Sequence, residues 1–381
     1  MKLAASTLLL CVSALVTLGM VMLYSAGMTQ DGARLLIMQL IWCAIGLAAG
    51  SVLTWLDYRR LGQLALPLIA LAVILLALVF IPHIGSVEVG IWKNGSRRWL
   101  NLGFAMFQPS ELGKFALVVG LAWYGARFQR RMRELWRGLV WPGAGALVLI
   151  TLVFVEPDRG CTILLAAVTG VLLVVAGARL VYIIPPACLF VTGFGIALWT
   201  DPVMRARLLA FLHPEQYKDG AAMQALQGLV AFQSGGWFGL GLGSSRQKMG
   251  WLPFHKTDFI FPIIGEELGL AATLFVVLAF TLMTICGLFI ALRARDLFGR
   301  LLGTGATCLI AFQALINIGV VTSVLPNKGM PLPFISYGGS NLLLMLTCVG
   351  VLLSIARHSA TADAHVFRPH ESESDAALQP A

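Results

Sequence analysis

The chain has 381 residues, of which 58% are hydrophobic and only 12% are charged. Soluble domains carry roughly 25% charged residues, so this composition excludes a soluble enzyme and places much of the surface against lipid. The net charge of +9 comes from basic residues dispersed over predicted loops, which argues against a nucleic-acid-binding protein.

About ten segments are apolar and long enough to cross a bilayer, which needs about 20 such residues per helix. In chain order they are residues 4–26, 35–56, 63–82, 111–126, 139–155, 161–177, 181–199, 264–292, 301–325 and 336–357. The first is interpreted as a retained helix, because no convincing signal-peptide cleavage site follows it. The sequence therefore predicts an all-α polytopic membrane protein with one membrane domain over residues 1–357.

Arginine residues mark one side of the predicted bundle. They follow the second, fourth, eighth and tenth segments, for example at Arg59, Arg131, Arg293 and Arg357. Short loops rich in Lys and Arg stay in the cytoplasm, so we predict that this side and both termini are cytoplasmic.

Two further segments complete the predicted organisation. Residues from about 200 to 263 form a large extracytoplasmic loop between the seventh and eighth helices, and the polar residues 358–381 form a disordered cytoplasmic tail. The run of glycines from Gly235 to Gly243 lacks the βαβ context of a dinucleotide site and is interpreted as a set of tight turns. The seven cysteines include no C-x-x-C pair and are interpreted as apolar core residues.

Ionisable residues at membrane depth are costly and therefore candidates for function. Glu111 and Lys114 lie three residues apart at the start of the fourth segment, where they form a structural ion pair, line a polar cavity, or do both. Glu156 and Asp158 lie in a short outer turn, either as solvated turn residues or as part of a site.

Four more charged residues are candidates for a functional site. Arg97 and Arg98 precede Trp99, as lipid-headgroup anchors or as a clamp for pyrophosphate oxygens. Asp258 lies among aromatic residues before the eighth segment, as a helix N-cap or as a general base with a raised pKa. Lys328 lies in a loop rich in proline and glycine that would present it to a cavity.

Several motifs in order resemble the shape, elongation, division and sporulation family of membrane proteins. They are NGSRRW at 94–99, QPSE at 108–111, EPDRG at 156–160, TDFIF at 257–261, GEELG at 265–269 and PFISYGGS at 333–340. The match covers most of the chain, and residues 231–248 are more similar to division-type than to elongation-type members.

The resemblance implies a peptidoglycan glycosyltransferase that polymerises lipid II outside the cytoplasmic membrane. The essential acid of the family falls on Asp258, and its other functional positions fall on Glu111, Lys114 and Asp158. Ser336 belongs to the last motif and is included with the substrate-binding residues. The implied partners are lipid II, a class B penicillin-binding protein that crosslinks the glycan, and other proteins of the division machinery.

Two positions near the essential acid depart from the family pattern. Phe254 stands where members usually have Glu, and Lys256 stands where they usually have His. A lysine two residues from Asp258 opposes any increase of its pKa.

The predicted mechanism is glycosyl transfer to the 4-hydroxyl of the lipid II sugar. Asp258 takes the hydroxyl proton, and Arg97, Arg98 and Lys328 neutralise the departing pyrophosphate. This chemistry also admits a divalent metal ion, and no other cofactor is indicated. The alternatives are a lipid II flippase, an elongation-type polymerase and a scaffold of the division machinery. The predicted charges cluster at the outer end of the bundle and no inverted repeat is visible in the sequence, which argues against the flippase.

Overall fold

The computed structural model describes residues 1–27, 32–84, 87–88, 90–93, 96–101, 103, 106–217, 220 and 222–366. Within them lie thirteen α-helices. They are α1 (Lys2–Gly27), α2 (Arg34–Trp55), α3 (Arg59–Gln63), α4 (Ala65–Leu78), α5 (Pro109–Arg127), α6 (Trp141–Val155), α7 (Arg159–Val175), α8 (Leu180–Thr200), α9 (Pro202–Leu212), α10 (Met223–Gly235), α11 (Ile260–Leu292), α12 (Leu297–Val321) and α13 (Gly339–Val366).

Each predicted membrane segment falls on a helix, which confirms the polytopic helical fold. Among the described residues, 7 helices are long and apolar enough to cross a membrane. One of them consists of α6 and a π-helical turn that precedes it and begins at Trp136. The apolar helices α4 and α7 are shorter, and α5 carries Glu111 and Lys114 among its apolar residues. The side on which the termini lie stays a prediction.

Short strands interrupt the predicted all-α architecture between α4 and α5. β1 (His83–Ile84) pairs with β2 (Val87–Glu88), and β3 (Gly90–Lys93), β4 (Ser96–Asn101) and β5 (Met106–Phe107) form an antiparallel sheet in that order. An Asn-Gly pair flanked by residues suited to strands favours a hairpin, and positions 94 and 95 carry this pair but lie outside the described residues.

The last helix and the large loop have more regular structure than the sequence predicts. α13 continues to Val366, beyond the predicted boundary at 357, whereas residues 367–381 lie outside the described residues. The predicted tail stays a prediction there. The loop from about 200 to 263 contains the short helices α9 and α10, both of which lie partly in contact with the rest of the chain.

The centre of the bundle is formed by α5, α12 and α13, whose residues are mostly buried. α13 lies along α2, and a Cβ added to Gly350 would collide with the backbone of Gly50. Small residues let membrane helices approach this closely, which compensates for the weak hydrophobic drive between helices in lipid. By contrast, α8 has no buried residue among those described, as expected for a helix at the lipid boundary.

Candidate functional site

The loop between α12 and α13 fixes the backbone around Asp258. The hydroxyl of Ser336 donates to the carbonyl of Thr257 at 2.5 Å, and the amide of Tyr337 donates to the carbonyl of Lys256 at 3.0 Å. Helix α12 adds a third contact, since Nδ2 of Asn317 donates to the carbonyl oxygen of Asp258 at 2.8 Å. These contacts hold the acid through the backbone carbonyls of residues 256–258 and leave its side chain available.

The carboxylate of Asp258 points at the same loop. A Cβ added to Gly329 would lie 2.7 Å from its Oδ2, so the carboxylate rests against glycine backbone. The N-cap of α11 is Phe259, and no side chain caps that helix. The interpretation of Asp258 as a helix cap is therefore wrong.

Burial, followed by the negative charge of Asp158, raises the pKa of Asp258 to about 7, although Arg98 and Arg207 oppose the shift. The pKa of Asp258 is thus raised although Lys256 lies two residues away. A carboxyl group that titrates near neutral pH can accept a proton from a substrate hydroxyl and release it again, which is the behaviour of a general base.

Asp158 approaches the site from the start of α7. Its Oδ1 accepts a hydrogen bond from the amide of Cys161 at 3.1 Å, and its Oδ2 accepts one from Nε2 of Gln108 at 3.3 Å. The helix-cap contact and the side-chain amide together fix the position of the Asp158 carboxylate. The turn before α7 is buried, so the interpretation of Asp158 and Glu156 as solvated residues is wrong.

Glu156 has an environment opposite to that of Asp158. It is 1% exposed, and neither carboxylate oxygen has a hydrogen-bond partner within the part of the chain that the structure describes. Burial, followed by the charge of Asp158, raises the pKa of Glu156 to about 8 although Arg98 lowers it. Glu156 is consequently protonated at pH 7.

Cations surround the two aspartates. The guanidinium of Arg98 donates to the carbonyls of Glu156 at 3.0 Å and Pro157 at 2.7 Å. The ammonium of Lys328 lies 5.0 Å from the ring centre of Phe194, and burial lowers its pKa to about 8. Arg97 points elsewhere, since its guanidinium lies 5.7 Å from the ring of Trp92.

Glu111 and Lys114 form the predicted ion pair at 2.8 Å, with both side chains almost fully buried. Nζ of Lys114 also donates to Gln313 at 2.9 Å, and Gln313 donates to the carbonyl of Pro331 at 2.9 Å. Asn341 completes the network by donating to Glu111 at 3.2 Å. The ion pair thus supports the α12–α13 loop, which contacts Asp258.

A second buried network holds the glycine-rich segment 239–249 against α11. Glu267 accepts hydrogen bonds from the amide of Gly243 at 3.0 Å and from Nζ of Lys248 at 2.7 Å, and the hydroxyl of Ser25 also donates to it. The neighbouring Glu266 accepts from the amide of Arg246 at 3.0 Å. The acids of the GEELG motif therefore fix a loop.

Of the predicted site residues, Asp258, Asp158, Arg98 and Lys328 come together, whereas Arg97 faces Trp92. Glu111, Lys114 and Ser336 act on the supporting loop. Sequence reasoning missed Arg207, Gln313 and Asn317. The last two are amides in an otherwise apolar helix, four residues apart, and polar side chains inside a membrane helix could have indicated them.

The described residues contain no group of three or more His, Cys, Asp or Glu side chains with the spacing of a metal site. We therefore assign no residues to the divalent ion that the chemistry admits.

The fold and the site define a polytopic membrane protein with an acidic, cation-flanked centre at one end of its helix bundle. The model of the FtsW, RodA and SpoVE family, described as "Cell cycle protein", matches residues 5–361. The chain belongs to this family, which confirms the resemblance found in its motifs.

Relatives of known name match over nearly the whole chain. The "Probable peptidoglycan glycosyltransferase FtsW" of Trichlorobacter lovleyi is 39% identical over 356 residues, covering 92% of each chain. The "Stage V sporulation protein E" of Bacillus subtilis is 37% identical, covering 91% of this chain and 94% of the relative.

Two solved structures show the same fold. A chain from a study of how a peptidoglycan synthase complex coordinates polymerization and crosslinking has a TM-score of 0.76 at 28% identity, with 92% of this chain and 97% of that chain covered. The rod shape determining protein RodA of Thermus thermophilus has a TM-score of 0.67 at 28% identity, with coverages of 92% and 96%.

Proposed function

We propose that this protein is a peptidoglycan glycosyltransferase that polymerises lipid II at the outer face of the bacterial cytoplasmic membrane. The observation that carries the proposal is the carboxyl group of Asp258, which titrates near neutral pH beside glycine backbone and among cations. The names of the FtsW relatives support the same reaction.

In the proposed reaction, the 4-hydroxyl oxygen of lipid II attacks the anomeric carbon of the growing chain. The bond from that carbon to the pyrophosphate of the lipid carrier breaks, and its electron pair leaves with the pyrophosphate. Asp258 takes the hydroxyl proton, a contribution of about 10²–10⁴-fold in rate. Fixed cations stabilise the charge that develops on the leaving group, and they do so most effectively in a site that excludes water.

The supporting residues have separate roles in this proposal. Arg98 and Lys328 offer positive charge near the reacting atoms, and Asp158 raises the pKa of Asp258 through its charge. Glu111, Lys114 and Ser336 hold the loop of Gly329 and Lys328 in place. Arg97 serves as an outer contact for substrate, at the edge of the site.

We further propose a role in septal cell-wall synthesis with a class B penicillin-binding protein as partner. Support comes from the division-type names of several relatives at 35–39% identity and from the likeness to a chain of a synthase complex. Other proteins of the division machinery would then localise the pair at the septum.

Polymerisation of purified lipid II by the protein together with its transpeptidase tests the enzymatic proposal. We expect glycan strands from the wild type and from Asp57→Asn, an acid of the α2–α3 turn, and none from a folded Asp258→Asn variant. Polymer from Asp258→Asn would remove the general base from the mechanism. A folded wild-type complex that makes no polymer would favour the flippase or the scaffold.

A further inference from the structure

A small cavity lies between α9, α10 and the segment that follows α12. Its volume is about 190 Å³, and apolar side chains form most of its wall, among them Phe211, Leu226 and Leu325. Cavities that enclose whole drug-sized ligands measure about 300–1,000 Å³, so this one can hold only part of a larger molecule.

Two polar groups of the cavity wall are unpartnered. Arg207 is half-buried and makes no hydrogen bond or ion pair with the described residues. The hydroxyl of Ser323 is buried without a hydrogen-bond partner among the described residues. The backbone φ of Ser323 is 58°, a value that is unusual for residues other than glycine. A buried donor without a partner is costly, and an anion in the cavity would accept from the Ser323 hydroxyl as well as from the Arg207 guanidinium.

The cavity shares a loop with the proposed reaction centre. Asn327 lines it, and two residues further on the same loop Gly329 touches the carboxylate of Asp258. The charge of Arg207 also acts on Asp258 directly, since it lowers the pKa of that carboxyl group. An anion bound at Arg207 would therefore lie close to the reacting atoms.

We propose that this cavity is the subsite for the donor's lipid carrier, in which Arg207 binds the diphosphate and the apolar wall holds the first isoprenoid units. This inference rests on the proposed function. A guanidinium suits the diphosphate because its planar donors match phosphate oxygens.

The chemistry selects the donor's diphosphate over the acceptor's. The donor's diphosphate is bonded to the carbon that is attacked by the oxygen whose proton Asp258 takes. The acceptor's diphosphate lies at the far end of its own disaccharide. A cation whose charge acts on Asp258 is therefore placed for the leaving group.

Binding of farnesyl diphosphate to the complex in nanodiscs tests the site without turnover, with inorganic pyrophosphate and farnesol as probes of each half. We expect Arg207→Ala to weaken the binding of farnesyl diphosphate and of pyrophosphate roughly 10- to 100-fold, and Arg207→Lys to weaken both less. Arg205→Ala is the matched control, since Arg205 is exposed on the same helix.

A second variant probes the apolar wall. Ala225→Leu fills part of the cavity, and we expect it to weaken farnesyl diphosphate several-fold while leaving pyrophosphate unchanged. Unaltered binding by Arg207→Ala, an equal loss in Arg205→Ala, or no effect of Ala225→Leu would overturn the proposal.

Steady-state kinetics with a lipid-linked tetrasaccharide as donor and lipid II as acceptor assigns the substrate. We expect Arg207→Ala to raise the KM of the donor and to leave the KM of the acceptor unchanged, and the reverse result contradicts the assignment. If the wild-type complex binds farnesyl diphosphate through Arg207 but forms no glycan, the glycosyltransferase proposal fails separately from the site.

Discussion

Two groups at the site titrate on either side of pH 7.5, and each needs a different protonation state to act. Asp258 must be ionised to accept a proton, and its pKa is about 7. Lys328 must be protonated to stabilise a leaving pyrophosphate, and its pKa is about 8. The enzyme therefore works best when the acid has lost its proton and the lysine has kept its own.

We predict a bell-shaped pH profile for polymerisation. The rate rises about tenfold per pH unit below about 7, because the ionised fraction of Asp258 grows, and it falls above about 8, because Lys328 loses its charge. Lys328→Arg keeps a permanent cation, so its profile should stay level on the alkaline side. An alkaline fall identical to that of the wild type would exclude Lys328 as its source.

Glu156 gives a prediction on stability. Its pKa is about 8 in the folded protein against an ordinary value of 4.5. Between these values the unfolded chain releases the proton and the folded protein keeps it, so the free energy of unfolding falls as pH rises from about 4.5 to about 8.

Glu156→Gln removes this dependence. We expect the variant to be more stable than the wild type at pH 8 by roughly 1–3 kcal/mol, with a smaller difference at pH 5. Thermal unfolding of the detergent-solubilised protein at both pH values measures the effect. A constant difference would mean that the carboxyl group titrates normally.

At the scale of elements, two loops are each held by a buried ionic network, and the first of them faces Asp258. The α12–α13 loop rests on Glu111, Lys114 and Gln313, and the glycine-rich loop rests on Glu267 and Lys248. Buried ion pairs add little net stability, yet removal of one partner leaves a costly uncompensated charge. The networks therefore specify loop positions more than they stabilise the bundle.

Gly329→Ala tests how closely the first loop approaches the acid. The added Cβ would lie 2.7 Å from Oδ2 of Asp258, so the carboxylate must move. We expect the polymerisation rate to fall more than about tenfold, since displacement of a catalytic group by about 1 Å costs roughly 100-fold. Gly338→Ala is the control, because its Cβ would make an ordinary contact at 3.7 Å. Equal activity of both variants would contradict the close approach.

Lys248→Met tests the second network. The change leaves the carboxylate of Glu267 buried without its cation, and we expect a loss of roughly 3–5 kcal/mol in unfolding free energy. The double variant Lys248→Met, Glu267→Gln should recover a large part of that loss. Additive effects of the two changes would show that the pair does not interact.

At the scale of the whole molecule, the site and the arginine-rich loops lie at opposite ends of the bundle. Helix α5 begins beside Asp158 at Gln108 and ends at Arg127, just before the basic residues Arg130 and Arg131. From the positive-inside rule we predict that the site lies outside the cytoplasm.

Accessibility to a membrane-impermeant thiol reagent measures this orientation. In a cysteine-free background, we expect Met106→Cys to react in intact spheroplasts and Arg130→Cys to react only after lysis. The opposite pattern would place the site in the cytoplasm, where lipid-linked glycan strands could not be polymerised onto the wall.

Much of this protein could be predicted from its sequence, because lipid imposes a simple constraint on it. A membrane helix needs a long apolar segment, so the apolar segments predict the helix bundle. The motifs, which occur in the order typical of the family, predict the family and the role of Asp258. The ion pair of Glu111 and Lys114 was also predictable, since residues three apart on a helix are neighbours.

The tertiary structure decided what depends on contacts between distant segments. Arg97 and Arg98 are adjacent in the chain, but neighbouring residues of a strand point to opposite faces. Arg97 therefore packs on Trp92, whereas the charge of Arg98 acts on Asp258. The pKa values of Asp258 and Glu156 depend on burial that only the packed structure provides. Arg207 lies on α9, within a segment that the sequence predicts only as a loop. Apolar patterns specify which segments are helices, whereas the environment of each charge is set only when those helices pack together.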